Sequence, residues 1–528
     1  MNGPARQRRV LFLIADTGAG HRSAANAIHH AMRLLADSPE LSLPRATVPA
    51  GAGRAERPRR PKANDGWEAS IVDAFVESMG LPLRKSASLY GPAIKHSPRL
   101  YGRFFRMTNT SNRFTAAWRL ARPFWYQGLL RLFLEKQPDV IVSVHPLLNH
   151  SSLKVLRDLG VKVPFITVVT DLVSVHCAWL ARDVTAIVVP TQAAYDLALE
   201  AGVPARRIFR LGMPIDPKFA RPAPESRTEL RQSLGLDPDL PTALLVGGGE
   251  GAIGLAEAAT ALGHSALAMQ MVVVTGRNQQ LYSHLLHAKR SFTVPAQVLG
   301  FVQNMPDLMR AADVIVTKAG PGTITEAMAC ELPIVLTGAI PGQEEGNLEW
   351  VVRNELGILA RTPGEVVEAL GELLRPGSPR LERLRQNVRR VSQPDAAFDI
   401  ARLILKHLPA AEAQSVWQRA SRATAHRRYV RHASPALARP LVRMRGSGMR
   451  IAITMRGEPI SLRPMVRRIR VAGGNGTAAP PGLVNLRGAR ALLLKGTNLG
   501  RVQLRRAGGR RRRHDAGSAL GGSSGAAR

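Results

Sequence analysis

The chain is 528 residues long, 45% hydrophobic, with a formal net charge of +34. That length gives room for two or three domains and a large core. The charge is uneven: residues 411–528 hold 25 Lys and Arg against 3 Asp and Glu, leaving 48 against 36 in the first 410 residues. This excludes reading the whole chain as a nucleic-acid binder from its charge alone.

Arg9–Ala15 (RVLFLIA) is a short continuous apolar run, the pattern of a buried parallel strand. Asp16–His21 follows as a turn, then an Ala-rich helix over Ser23–Leu35. Residues 37–66 are rich in Pro, Gly, Arg and Ala and read as a loose insertion. Trp67–Phe75, Asp139–Val144, Pro164–Val169 and Ala186–Val189 read as further strands, with helical patterns at Leu147–Leu159 and Thr191–Ala201. Arg210–Asp216 ends this half, and Ala220–Glu225 is a Pro-containing linker. A second series follows: Thr242–Val246, Met271–Thr275, Ala296–Gly300, Val314–Thr317 and Pro333–Leu336 as strands, then helices at Gly364–Arg375, Leu381–Val391 and Asp395–His407.

Alternation of strand and helix predicts an α/β fold of two doubly wound parallel sheets. The expected division is residues 1–217, residues 226–408 and a tail, 409–528, whose Arg, Gly, Ala and Pro content reads as low-complexity and largely disordered. Cys177 and Cys330 lie 153 positions apart, which offers no disulfide framework and suits a reducing compartment. No run of about 18 uninterrupted apolar residues exists, so no spanning helix is expected. A strand by Arg9 leaves no space for a signal or transit peptide, so none is expected.

Three glycine-rich turns follow strands. Ala319-Gly320-Pro321-Gly322-Thr323-Ile324-Thr325-Glu326 joins VIVT to a helix, and its bare backbone at a helix N-terminus suits a diphosphate. Gly247-Gly248-Gly249-Glu250-Gly251 follows TALLV, where glycine lets backbone approach a phosphate; it is equally a plain strand–helix turn. Gly18-Ala19-Gly20-His21 ends the first strand and presents one imidazole. Transfer to a hydroxyl needs a base, and an imidazole titrates near working pH. His21 is the candidate base, and Asp171 either orients it or is itself the base. His145 is a weaker candidate, since it reads equally as a packed turn residue. Asp237 and Asp239 sit in a Pro-rich turn and do not read as a metal pair, so charge on a leaving group is expected to meet helix N-termini and glycine N–H groups, with no metal.

The ordered motifs resemble the monogalactosyldiacylglycerol synthase and diacylglycerol glucosyltransferase family. The same glycosyltransferase family includes the N-acetylglucosaminyltransferase of the lipid II pathway. The residues are Asp16–Ala24 (DTGAGHRSA), Ser143–Leu147 (SVHPL), Val168–Leu172 (VVTDL), Gly212–Ile215 (GMPI), Gly247–Gly251, Asn304–Met309 (NMPDLM), Lys318–Glu326 and Pro341–Asn347 (PGQEEGN), covering about residues 8–408. Ala19 departs from the family's usual third glycine, as do the 37–66 insertion and the basic tail. The resemblance implies the GT-B architecture, with two Rossmann-like domains and a cleft between them, and inverting transfer without a fold-bound metal. It implies that Gly320, Gly322, Thr323 and Glu326 meet diphosphate and ribose, that Phe301 and Val302 lie near uracil, and that Gln343, Glu344 and Asn347 contact the hexose. It places the acceptor beside Gly18, Gly20 and His145.

Between Ser78 and Leu134 there is no Asp or Glu, but ten Lys and Arg interleave with ten aromatic residues. Arg103, Phe104, Phe105, Trp118 and Trp125 are its candidate lipid contacts. Each basic residue near an anionic surface contributes roughly 1 kcal/mol, so a fraction of them suffices to hold a protein there. The other readings of this composition are core aromatics beneath a solvated charged face and, below that, single-stranded nucleic acid. The expectation is a peripheral enzyme at the cytoplasmic face of the cell membrane, moving galactose or glucose from a UDP-sugar to 1,2-diacylglycerol, with anionic lipids as partners, no specific nucleic acid and no cofactor. Its rivals are a transferase acting on a polyprenyl-linked muropeptide, and a non-enzymatic nucleotide- or RNA-binding protein.

Overall fold

The computed structural model describes residues 7–17, 20–38, 66–81, 83–85, 97–221, 225–247, 254–410 and 416–417, and the backbone of 452–455 and 458–461. Gly18, Gly248, Gly249, most of the 37–66 insertion and most of the tail lie outside these residues.

The first lobe is a six-stranded parallel sheet: β1 (Arg8–Ile14), β2 (Trp67–Asp73), β3 (Val140–Ser143), β4 (Phe165–Val168), β5 (Ala186–Val189) and β6 (Ile208–Arg210), in the order β2-β1-β3-β4-β5-β6. β3, β4 and β5 are buried at every position, which is why they read as unbroken Val/Ile/Phe runs. The second lobe repeats the plan with β7 (Thr242–Val246), β8 (Gln270–Val274), β9 (Ala296–Leu299), β10 (Val314–Thr317), β11 (Ile334–Leu336) and β12 (Gly357–Leu359), in the order β12-β11-β10-β7-β8-β9. Every neighbouring pair in both sheets is parallel. Two apolar layers flank each sheet, and both sheets belong to one compact unit, Met1–His432. This is the GT-B architecture.

Four features depart from the sequence reading. β2 ends at Asp73 because the Asp73 carboxylate accepts from the Phe75 and Val76 N–H groups at 2.9 and 3.0 Å and starts a short helix, α2 (Ala74–Ser78). Among the described residues, the basic-aromatic window carries three helices of ten or more residues: α3 (Pro98–Thr108), α4 (Ser111–Leu120) and α5 (Arg122–Lys136). The last long helix, Ala396–Lys406, follows the second lobe in sequence yet buries Ala397, Ile400, Ala401 and Ile404 with β1 and helix α1 (Gly20–Asp37) of the first. Trp417, in the segment read as tail, is 2% exposed within the first lobe's core, its indole N–H donating to the Pro138 carbonyl at 2.8 Å. The second unit, Ala433–Arg528, is described only as an antiparallel hairpin, Ala452–Met455 with Glu458–Ser461.

Candidate active site

In a doubly wound sheet, ligands bind beyond the carboxyl ends of the strands where the winding reverses. Here the reversals fall between β1 and β3, and between β7 and β10. The loops at those four strand ends are the four that the sequence singles out: 15–20, 144–145, Gly247 onward, and 318–322.

In the first lobe, Asp73 holds the loop after β1 by accepting the Asp16 N–H at 3.0 Å, while Arg22 pairs with the Asp16 carboxylate through two contacts of 2.8 and 2.6 Å. This fixes the start of α1, whose second residue is His21. The half-buried His21 ring lies 4.7 Å, edge-on, from that of His145, and its Nδ1 meets the Thr170 hydroxyl at 3.2 Å. Burial pushes the His21 pKa down to about 4, against the Val144 carbonyl and the Asp16 charge, so the ring is neutral. His145 is buried and driven well below its ordinary value by burial and by His21; its Nε2 meets the Thr17 hydroxyl at 3.3 Å and its Nδ1 has no hydrogen-bond partner.

Asp171 does not contact His21 in the way foreseen from sequence. Thr170 takes the His21 ring nitrogen, and Asp171 instead accepts from the Trp179 indole N–H at 2.7 Å. Burial raises the Asp171 carboxyl to about 6; the Trp179 bond opposes this and the Glu344 charge adds to it. The turn that carries Trp179 hangs on Asn149, whose amide donates to the Ala178 and Trp179 carbonyls, both at 3.3 Å. Asn149 and Asp73 are positioning residues that sequence reasoning missed. One read as mid-helix and the other as the end of a strand.

In the second lobe, the turn after β10 leads into helix α6 (Pro321–Ala329), which has Gly320 at its N-cap, Pro321 in the first position and no side-chain cap. The N–H groups of Gly322 and Thr323 therefore have no acceptor within the helix, and space beside Gly322 is open. Lys318 and Glu344 form an ion pair within this turn, 11% and 5% exposed, and the second Glu344 oxygen accepts the Ile340 N–H at 2.9 Å. The Asn347 amide donates to the Ala319 carbonyl at 3.1 Å, and its buried Oδ1 has no partner. Glu344 and Asn347 thus brace the turn from within. Gln343 takes a different partner, the Tyr101 hydroxyl of α3, which donates to its Oε1 at 3.0 Å.

Glu326, half-buried on α6, is raised to about 7 by burial and then by Asp216, which pairs with His30 of α1 at 3.2 Å. Asp171 with Glu344, Tyr101 with Gln343, and the run His30, Asp216, Glu326 are three places where the lobes' functional ends meet. Gly20 opens the helix that carries His30, and Gly322 lies in the first turn of the helix that carries Glu326. Phe301 is 63% exposed at the end of β9, with the Arg277 guanidinium 5.2 Å from its ring centre, while Val302 packs against the lobe's core. Asp237 accepts the Asp239 N–H at 2.9 Å and closes its own turn. Among the described residues no group of three or more His, Cys, Asp or Glu could hold a metal ion.

The basic-aromatic helices sort their side chains by face. On α3, Leu100, Phe104 and Met107 form an apolar stripe, 66%, 58% and 53% exposed, beside exposed Arg99, Arg103 and Arg106. Leu120 and Phe124 add to the exposed apolar surface. Trp125 is not among the surface contacts: it is 3% exposed and closes an aromatic ladder with Trp118 (6.2 Å) and Phe114 (5.9 Å from Trp118). Phe105 turns inward onto His176, 5.1 Å away. Aromatic content alone could not separate these inner rings from the outer ones. No helix among the described residues is long and apolar enough to cross a membrane.

Comparison with known proteins agrees with this architecture. Residues 59–215 match the monogalactosyldiacylglycerol (MGDG) synthase family model and residues 242–347 the glycosyltransferase family 28 C-terminal domain. A probable chloroplastic monogalactosyldiacylglycerol synthase from Glycine max is 35% identical over 408 residues, covering 75% of this chain and 70% of its own. Monogalactosyldiacylglycerol synthase 1 of Arabidopsis thaliana matches with the same identity and coverage. Among solved structures, MurG from Acinetobacter baumannii aligns over 76% of this chain and 99% of its own, at 14% identity and a TM-score of 0.46. With relatives of that identity covered over more than two thirds of their length, the chain belongs to the monogalactosyldiacylglycerol synthase family of glycosyltransferases.

Proposed function

We propose that the protein transfers galactose from UDP-galactose to the free hydroxyl of 1,2-diacylglycerol, with inversion at the anomeric carbon. The observation that carries this reading is a pair of half-sites whose neighbouring residues meet, Glu344 acting on Asp171 and Tyr101 bonded to Gln343: a neutral imidazole in the first lobe, and an uncapped helix N-terminus beside a buried Lys–Glu pair in the second. The first lobe, with the 37–66 insertion, takes the acceptor and the second takes the nucleotide sugar.

His21 accepts the proton of the acceptor hydroxyl as its oxygen bonds to the anomeric carbon. The bond from that carbon to the diphosphate breaks, and UDP leaves with the electron pair. The Gly322 and Thr323 N–H groups and the α6 dipole face the growing negative charge, with Gly247 at the neighbouring strand end. Glu326 takes the ribose hydroxyls, Phe301 and Val302 the uracil, and Gln343 the hexose. A base held near 4 is weak, however, and Asp171, held near 6, is the second reading for that role.

The Leu100, Phe104 and Met107 stripe with its arginines suits an anionic lipid surface, which would bring the crevice to its oily acceptor. Both cysteines are free thiols, as suits the cytoplasmic face of a membrane. The test of the base is His21→Ala: turnover should fall at least 100-fold with UDP affinity retained. Near-normal turnover in that variant removes His21 from the mechanism.

A further inference from the structure

Helix α3 has a third face, directed inward and spaced at helical intervals through Tyr101, Phe105 and Thr108. At its far end Thr108 Oγ1 meets His176 Nε2 at 3.3 Å, Phe105 packs on the same ring, and Asn109 accepts the Cys177 N–H at 2.7 Å. That turn continues into Trp179, which holds Asp171. At the near end the helix touches the other lobe. A Cβ on Gly102 would lie 2.9 Å from Pro341 Cβ and 3.0 Å from its carbonyl oxygen. A Cβ on Gly342, itself at φ +80°, would lie 3.2 Å from Gly102. Two facing glycines let the backbones touch, and only at that separation does the Tyr101 hydroxyl reach Gln343.

We infer that Tyr101, a residue of the acceptor lobe, is a positioning residue for the donor hexose: its hydroxyl fixes the carboxamide of Gln343. This rests on the reading of the Pro341–Asn347 loop as the hexose contact. Holding the carboxamide at its oxygen fixes where the group stands relative to the hexose. Glu344 and Asn347 are occupied in bracing the turn, whereas Gln343 and Glu345 are held from the opposite lobe, Gln343 by Tyr101 and Glu345 by an exposed contact with Arg106 at 3.4 Å. Hexose recognition then requires α3 to be seated, whereas UDP, which lacks the hexose, does not sense Tyr101.

The test uses the full chain and three probes: UDP, UDP-galactose and UDP-glucose. Affinities are measured by calorimetry for the native protein, Tyr101→Phe, Gln343→Ala and the double variant. Tyr101→Phe retains the ring and its packing. It should weaken UDP-galactose about 5–10-fold by loss of one hydrogen bond, with UDP unchanged. Added to Gln343→Ala it should cost no more than twofold further. Loss of UDP and UDP-galactose affinity in equal proportion, or a change under twofold for UDP-galactose, overturns the inference. Turnover of the native protein with diacylglycerol vesicles separates the two levels. If native turnover is present and Tyr101→Phe is silent, the inference alone fails. If native turnover with both sugars is absent, the reading of the site fails with it.

Discussion

Removing either member of the Lys318–Glu344 pair should damage the donor lobe more than most substitutions in the crevice. Glu344→Gln leaves an ammonium that is 11% exposed without a counter-charge, and Lys318→Met leaves a carboxylate that is 5% exposed with the Ile340 N–H as its remaining contact in the turn. Breaking a buried pair from one side costs about 3–5 kcal/mol, because the orphaned charge stays buried. Combining Glu344→Gln with Lys318→Met removes the orphaned charge, so the double variant should regain most of that loss and the cycle should show coupling above about 2 kcal/mol. Urea unfolding of all four proteins reads the stability term. The kcat/KM of Glu344→Gln reads a second effect: loss of the Glu344 charge relieves the repulsion that helps raise Asp171, so the Asp171 titration should move to lower pH. Single variants within about 1 kcal/mol of the native protein, with no coupling, would refute the reasoning.

Other consequences can be checked in the same preparation. The acid limb of kcat/KM distinguishes the two bases: it should fall near pH 4 if His21 alone must be neutral, and near pH 6 if Asp171 must be ionised. His176 is 8% exposed and lowered to about 4 by burial, so its contribution is complete above pH 6.5 and is lost as pH falls towards 4. That amounts to roughly 3 kcal/mol, and His176→Gln should flatten the acid side of the stability profile measured by urea titration. Replacing Leu100, Phe104 and Met107 together by serine should cut sedimentation with anionic vesicles at least tenfold while UDP affinity stays unchanged; unaltered sedimentation would remove α3 from the membrane surface. Trp417→Ala should destabilise the first lobe by about 3–5 kcal/mol, visible as a lowered Tm, despite its place beyond the last long helix.

Both sheets were legible in the sequence because parallel strands covered on both faces carry unbroken apolar runs. Ala186–Val189, Thr242–Val246 and Val314–Thr317 match at both ends. Strands β6 and β12 were not, since three-residue edge pieces such as Ile208–Arg210 carry no period. The helix at Ala396–Lys406 shows the same limit at a larger scale. Its apolar stripe says that it packs, but not that it crosses back to α1. In the site, the glycine turns fall at the strand ends where each sheet's winding reverses. What each polar residue does with its atoms was not legible. Glu344, Gln343 and Asn347 are near neighbours in one loop, yet two face inward and one meets Tyr101, and that depends on partners more than 20 positions away or in the other lobe. The same holds for Trp118 and Trp125, whose ladder is fixed by the angle between α4 and α5.

The account's central claim is the joining of a UDP-bound hexose to a diacylglycerol hydroxyl in the shared crevice. Incubation of the full chain with UDP-galactose, in parallel with UDP-glucose, and diacylglycerol vesicles, followed by mass spectrometry and proton NMR of the lipid, tests it most directly. The account predicts a β-linked monogalactosyl lipid formed in step with UDP release and absent from the His21→Ala reaction. An α-linked product, or UDP release without any glycosylated lipid, would contradict it.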